Sequence, residues 1–423
     1  MINKLMKQIN IQGSIHFKLI SIIFIMIPPF LITGPFLPDL MLSIIGFYFI
    51  VISIKDKLFK YYKNYFVYFF SSFYFYLFIR GLFSEYPYES LIKYNGPIFY
   101  FRYLFFVLGL KYILDINPTL IKTFAISLMI IILFSTFDGY FQWINGFNIF
   151  GMVSPSIRVT GIFGKEEILG HFLAHVTPLL IALLTYLYGT NKKQIFFYIG
   201  ILMFVEIMIF ISNDRAAFLK VFQFTILLIL LSQNFKLFRL FSFFITTIII
   251  FTLIIMAPDS AERFQHTVAD VSNTTIPYMP WAPSHETHFS IAFDMFFNNP
   301  MFGQGPQLFK TLCQIIPEYQ KGCTSHPHNY YVQIIGELGL LGLSFIIIFF
   351  AYSFNLLIKH FFSLWFKKSK SNILPDYFLF IVCIVFILLW PLIPHQSFYN
   401  NWLNVAIYLN IGFFHYFKNN LRN

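Results

Sequence analysis

The chain is short of charge, short of cysteine and, above all, short of acid. Of 423 residues only 11% are charged, 29 of them Lys or Arg against 18 Asp or Glu, which leaves a formal +11. Soluble domains carry about 25% charged residues, so this chain lacks the groups to cover a folded surface in water. That shortage excludes a soluble enzyme and a highly charged disordered tail. Three cysteines exclude a secreted disulfide scaffold. A basic stripe is missing too: the Lys residues are scattered between apolar runs, so the +11 does not mark a nucleic-acid surface. What is present is apolar, with 58% hydrophobic residues, 60 Phe and 26 Tyr and a mean hydropathy of +0.70. The chain reads as an all-α polytopic membrane protein embedded in a lipid bilayer.

A bilayer-crossing helix needs about 20 mostly apolar residues. Twelve stretches qualify, near 17–33, 36–54, 65–83, 97–114, 120–137, 168–188, 195–212, 215–231, 238–257, 330–352, 374–394 and 401–417. The runs are long and continuous, which excludes a closed barrel of short alternating strands. With the N-terminus in the cytoplasm, the positive-inside rule is satisfied: the inner face collects nineteen of the 29 cations, including the cluster Lys55, Lys57, Lys60 and Lys63, together with Arg239. Both termini are then cytoplasmic. The first apolar run contains Pro28 and Pro29 and no small-residue cleavage site, so it reads as a span and not as a cleaved signal. The chain divides into residues 1–257, spans one to nine with a periplasmic loop near 138–167; residues 258–329, a large periplasmic loop; and residues 330–423, spans ten to twelve. Long loops on one side are where function is expected. No internal repeat relates the two halves, which argues against a transporter built on inverted repeats. Most of the aromatics are read as lipid-facing.

Cys383 lies in an apolar span and reads as a small buried hydrophobe. Cys313 and Cys323 both fall in the large external loop, where an oxidising compartment would sustain a disulfide; two free thiols are the alternative. No CxxC pair accompanies them, and no metal site is expected.

Ionisable groups at membrane depth are candidates for function. Arg158 opens the run Arg158-Val159-Thr160-Gly161-Ile162-Phe163-Gly164-Lys165-Glu166-Glu167, and Arg215 follows Asn213-Asp214 in a very short external turn. Each guanidinium suits bidentate capture of a phosphate; the alternatives are a solvated Arg158, and an Arg215 that reaches lipid phosphate or pairs with Asp214. The richest stretch begins His326-Pro327-His328-Asn329 and runs through Glu337, Gly339 and Gly342. Pro327 is tolerated in a first helical turn, placing His328 at or near a helix N-terminus, where a neutral imidazole can take a proton from a hydroxyl nucleophile. Glu337 lies nine residues further on and reads as a packing or acceptor-site residue. His285, Glu286 and His288 precede an amphipathic surface helix, but with His326 their spacing matches no standard zinc pattern. Then comes a turn-rich segment, Asn298-Asn299-Pro300-Met301-Phe302-Gly303-Gln304-Gly305-Pro306.

On these residues the sequence resembles the O-antigen ligase and polymerase superfamily, bacterial integral-membrane glycosyltransferases of lipopolysaccharide assembly in the cell envelope. The ligases carry His, then Asn, Ser or Gln, nine residues, Gly, two residues, and Gly, Thr or Tyr; His328, Asn329, Gly339 and Gly342 fill that pattern. Arg215 and Leu219 match an Arg followed four residues later by Leu. The Arg158–Phe163 run and the Asn299–Gly305 turn are similar to family segments, the likeness covering roughly residues 158–345. Where the family is expected to carry an Arg near the start of the loop helix, this chain has Ser284-His285-Glu286-Thr287-His288, and Arg263 is the nearest alternative for a third cation.

The resemblance implies a C-type glycosyltransferase architecture in the bacterial inner membrane with its site open to the periplasm. A glycan on undecaprenyl diphosphate would pass to an acceptor hydroxyl of the lipid A core. His328 would be the catalytic base, Arg158 and Arg215 would hold the leaving diphosphate in place of a metal, and His326, Asn329, Glu337 and Glu166 would support them. No cofactor is implied. The sister activity, an O-antigen polymerase joining lipid-linked repeats, shares this histidine region and stands as the alternative; a lipid-linked sugar transporter is the reading from another class.

Overall fold

The computed structural model describes residues 14–93, 96–257, 283–366 and 372–421. All twelve apolar stretches are helical. In order they form α1 (Ile15–Phe30), α2 (Phe36–Lys55), α3 (Tyr65–Leu82), the short α4 (Pro87–Leu91), α5 (Phe101–Ile116), α6 (Leu120–Asn145), α7 (Leu169–Tyr188), α8 (Lys192–Ile211), α9 (Arg215–Leu231) and α10 (Lys236–Met256). After the large loop's α11 (Pro283–Asn298) and α12 (Leu308–Ile315) come α13 (Tyr330–Phe366), α14 (Asp376–Leu388) and α15 (Asn401–Asn420). Seven helical stretches are long and apolar enough to cross a membrane: α2, residues 97–116 ending in α5, α6, α7, α8, α10 and α13; α1 and α14 are shorter apolar helices. The chain is a multi-pass, all-helical membrane protein. Among the described residues the only strand-like pairing is an isolated bridge between Phe147 and Val153.

Local chemistry sets the helix ends. Asn191 and Gln194 close α8 with a reciprocal capping box, which satisfies two orphan N–H groups at once. The α6 helix runs past its expected end at residue 137 to Asn145 and stops only at Gly146, in the left-handed region at φ 82°. At the other extreme, α14 ends at Leu388, short of the expected 394, and Pro391 and Pro394 lie in the irregular connection that follows.

The centre of the bundle is α7, buried along nearly its whole length and packed on α6, α8, α9 and α14. The α14 helix is enclosed from Phe378 to Leu388. Some aromatics point inward: Phe24 stacks on Phe124 at 4.7 Å, and Tyr103 on Tyr408 at 4.5 Å. Hydrocarbon surroundings give no hydrophobic drive to bring helices together, so association rests on close packing and polar contacts, and flat rings supply large, rigid surfaces for it.

Arg239, near the start of α10, is enclosed by the bundle. It is 1% exposed and pairs with the buried Glu206 of α8, while Nη1 donates to Ser242 Oγ at 3.1 Å. The Glu206 carboxylate also accepts from Thr225 of α9 at 2.9 Å. An apolar count assigned these two charges to different places because it cannot register that they neutralise one another. The three buried residues of α10 are Arg239, Ser242 and Thr246, so this helix is held by a polar stripe.

Candidate active site

The loop that follows α6 is fixed by the end of that helix. Ile149 N–H donates to Asp138 Oδ1 at 2.8 Å, and Thr160 and Gly161 N–H donate to Gln142 Oε1 at 2.8 and 2.7 Å. Asn148 adds an amide bond to the Gly161 carbonyl at 2.8 Å. These anchors hold the chain on either side of Arg158. Its Nη1 lies 2.9 Å from Glu167 Oε2, and its Nη2 lies 3.2 Å from Asp214 Oδ2. The same Asp214 oxygen pairs with His171 Nδ1, and Asp214 Oδ1 caps α9 through Ala217 N–H at 3.2 Å. Gly170 permits this approach, since a Cβ there would stand 2.6 Å from Asp214 Cβ. Burial pushes the Asp214 carboxyl up, but His171 and Arg158 more than reverse that, and it sits well below the usual carboxylate range.

The second group forms where α13 begins. Asn329 is the N-cap: its Oδ1 accepts from Tyr331 N–H at 2.9 Å and Val332 N–H at 3.2 Å, and its Nδ2 donates to the Pro391 carbonyl at 2.8 Å. An amide side chain after the histidine is therefore the cap that starts the helix. His328 stands just before it in the left-handed region at φ 57°, and its carbonyl accepts from His395 N–H at 2.7 Å. Such a conformation is uncommon for a residue with a Cβ and is held by its surroundings. The His328 ring lies 4.2 Å from that of His326 and 5.5 Å from that of His288, centroid to centroid. Burial, and then His288, lower the pKa of His328, so the imidazole is neutral at pH 7 and competent to accept a proton.

A backbone clamp sets the rest. At Gly339 (φ 63°, ψ −165°) α13 kinks, and the Asn299–Pro306 turn fills the kink. Leu340 and Leu341 N–H donate to the carbonyls of Pro300 and Met301 at 2.9 and 3.2 Å, and Gln304 and Gly305 N–H donate to those of Gly336 and Glu337 at 3.1 and 2.8 Å. A Cβ on Gly339 would lie 2.5 Å from the Met301 carbonyl carbon. Arg80 of α3 donates to the Gly303 carbonyl through Nη2 at 2.6 Å, and Tyr76 donates to that of Leu338 at 2.5 Å. The glycine pattern after His328 and the Asn-Pro…Phe-Gly…Gly turn are thus two halves of one device. Glu337, fully buried, accepts from Gln307 and Phe309 N–H, each at 3.1 Å, and so anchors the start of α12. Cys313 and Cys323 are bonded, with Cα atoms 5.2 Å apart, and tie α12 to the turn that follows it; Cys383 is buried.

Between these groups lies a cavity of about 840 Å³. Its wall includes His326, His328, Glu166, Lys310, Gln307, Gln396 and Trp402, a mixture of bases, amides and aromatic surface suited to a hydroxyl-rich ligand. Residues 198–347 match the family model described as O-antigen ligase. The chain carries an O-antigen ligase family domain. That domain takes in α9 with Asp214 and Arg215, the loop helices and the start of α13, while Arg158 and the last two helices lie outside it. No curated protein matches the chain.

The structure thus gathers the expected residues into two groups. Arg158 joins the Asp214–Arg215 turn directly, with Arg215 half-buried as the first residue of α9. His326, His328 and Glu166 line the cavity; Arg158, Arg215 and Glu337 are not in its wall, and Arg158 instead carries two carboxylates. His395 links the groups, its backbone on His328 and its ring within electrostatic range of His171 and Lys220. His285 and Glu286 side chains and Arg263 fall outside the described residues. The sequence reading missed His171, Asp214 as the hub, Lys220, His395 and Lys310; an acid one residue before Arg215 and two histidines four apart on α7 were the signals available.

Proposed function

We propose that this protein is an O-antigen ligase-type glycosyltransferase that moves a glycan from undecaprenyl diphosphate to an acceptor hydroxyl of the lipid A core at the periplasmic face of the inner membrane. The topology proposed with it has twelve spans and both termini in the cytoplasm. The observation that carries the reading is a positioned His328, its pKa lowered by burial, in the wall of a large cavity of mixed polar and apolar lining, next to an Arg158–Asp214–His171 cluster. His328 takes the proton of the acceptor hydroxyl as its oxygen attacks the anomeric carbon. The bond from that carbon to the diphosphate oxygen breaks, and the lipid diphosphate leaves with the electron pair. Arg158 and Arg215 balance its charge, Arg158 exchanging a carboxylate for phosphate oxygens of equal geometry. Asn329, Glu337 and His326 hold the base and the loop, and Glu166 shapes the wall.

Transfer of radiolabelled glycan from the polyprenyl-diphosphate donor by the purified protein tests the class: a new glycosidic bond supports the reading, and none, with donor merely moved across the bilayer, supports a transporter. The polymerase alternative differs in acceptor. A disrupted ligase leaves long lipid-linked polymer unattached, whereas a disrupted polymerase leaves single repeats attached to the core.

A further inference from the structure

Lys220 is a basic side chain enclosed within the helix bundle. It sits on the buried face of α9 with Ala217, Val221 and Phe224, and is 3% exposed. Among the described residues it makes no hydrogen bond and no ion pair. Its nearest acid, Asp214, is already committed: Oδ2 to Arg158 and His171, Oδ1 to Ala217 N–H. The other groups within electrostatic range are bases, His175 and His395. His175 stands one turn below His171 on α7, ring centroids 6.0 Å apart. A cation enclosed by protein and surrounded by bases is unstable unless something neutralises it, whereas the buried pair Arg239–Glu206 in the same bundle shows what full compensation looks like.

We propose that Lys220 completes a buried anion site with Arg158 and His171, and that its ligand is a diphosphate. The class of anion rests on the glycosyl-transfer reading above; the basic cluster itself does not. Lys220 then supplies the third cation that the sequence left open, from the matched domain's own α9 and one and a half turns below Arg215. It is a binding residue that takes no proton in the reaction.

Calorimetric titration of the full-length protein in detergent with inorganic pyrophosphate tests this, on wild type, Lys220→Met, Lys220→Gln and Lys220→Arg. A lost charge-assisted contact weakens pyrophosphate binding about 10- to 100-fold in K220M and K220Q, with K220R restoring most of it, and the donor KM rises in the same order. K220M unfolds at or above the wild-type temperature, because it removes an uncompensated buried charge. Wild type that binds no pyrophosphate, or a folded K220M or K220Q of unchanged affinity, overturns the site. Lys220-dependent pyrophosphate binding without glycan transfer upholds the site and sinks the glycosyltransferase reading; transfer with unaltered K220M does the reverse.

Discussion

Replacing Gly339 with alanine tests whether the clamp behind His328 is a structural necessity. Three glycines form a graded series. Gly200, inside α8, has open space where a Cβ would stand, so Gly200→Ala gains up to about 1 kcal/mol from helix propensity. Gly146 also has open space but lies at φ 82°, so Gly146→Ala meets backbone strain alone, roughly 1–2 kcal/mol. Gly339 adds a steric demand: its Cβ would stand 2.5 Å from the Met301 carbonyl carbon and 2.6 Å from Gly303 N. Relieving that contact separates the turn from α13, which opens the bonds of Leu340 and Leu341 N–H to Pro300 and Met301, about 1 kcal/mol each. The sum for Gly339→Ala is about 3–4 kcal/mol. Thermal unfolding in detergent, followed by fluorescence-detected gel filtration, orders the three variants. If Gly339→Ala melts with Gly146→Ala, the close approach contributes nothing and the clamp argument is wrong.

Two further outcomes follow from the charges. Glu206→Gln leaves Arg239 buried without a counter-charge and costs about 3–5 kcal/mol, while the double variant Glu206→Leu/Arg239→Met recovers most of that loss; a double-mutant cycle on melting temperature that shows simple additivity would discard the pairing. The lowered pKa of His328 means that the folded protein resists protonation below the unfolded histidine value of about 6.5. Stability contributed by the neutral ring is therefore present above that pH and is lost as pH falls below it, and the base limb of kcat/KM for glycan transfer lies below pH 6.5. His288→Asn removes a like-charged neighbour and moves that limb upward; a limb at or above 6.5 in the wild type contradicts the burial of His328.

The helical membrane architecture was legible because apolar runs of fixed length report directly on the solvent around a helix. The start of α13 was legible for a local reason: Pro327, His328 and Asn329 are a helix entry in themselves. Partnerships across helices were not. In the sequence Asp214 is only a possible partner for Arg215 in a tight turn, and its packing against Gly170 brings Arg158 and His171 onto one oxygen. The burial of Arg239 was not legible because hydropathy carries no term for Glu206 on another helix. Glu337 read as a packing or acceptor-site residue, and its carboxylate holds the backbone at the start of α12, an interaction with residues about thirty positions away that no periodicity encodes. Lys310 entered the cavity wall through that same α12 placement.

The proposed reaction turns on activation of an acceptor hydroxyl by His328 in the cavity that its side chain lines. Its most direct measurement is single-turnover transfer of radiolabelled glycan from polyprenyl diphosphate by purified wild type and His328→Ala, with donor binding followed in parallel. A positioned general base contributes about 10²- to 10⁴-fold, so His328→Ala binds donor as the wild type does and loses transfer by at least that factor. Equal transfer rates in a folded His328→Ala protein would contradict the account.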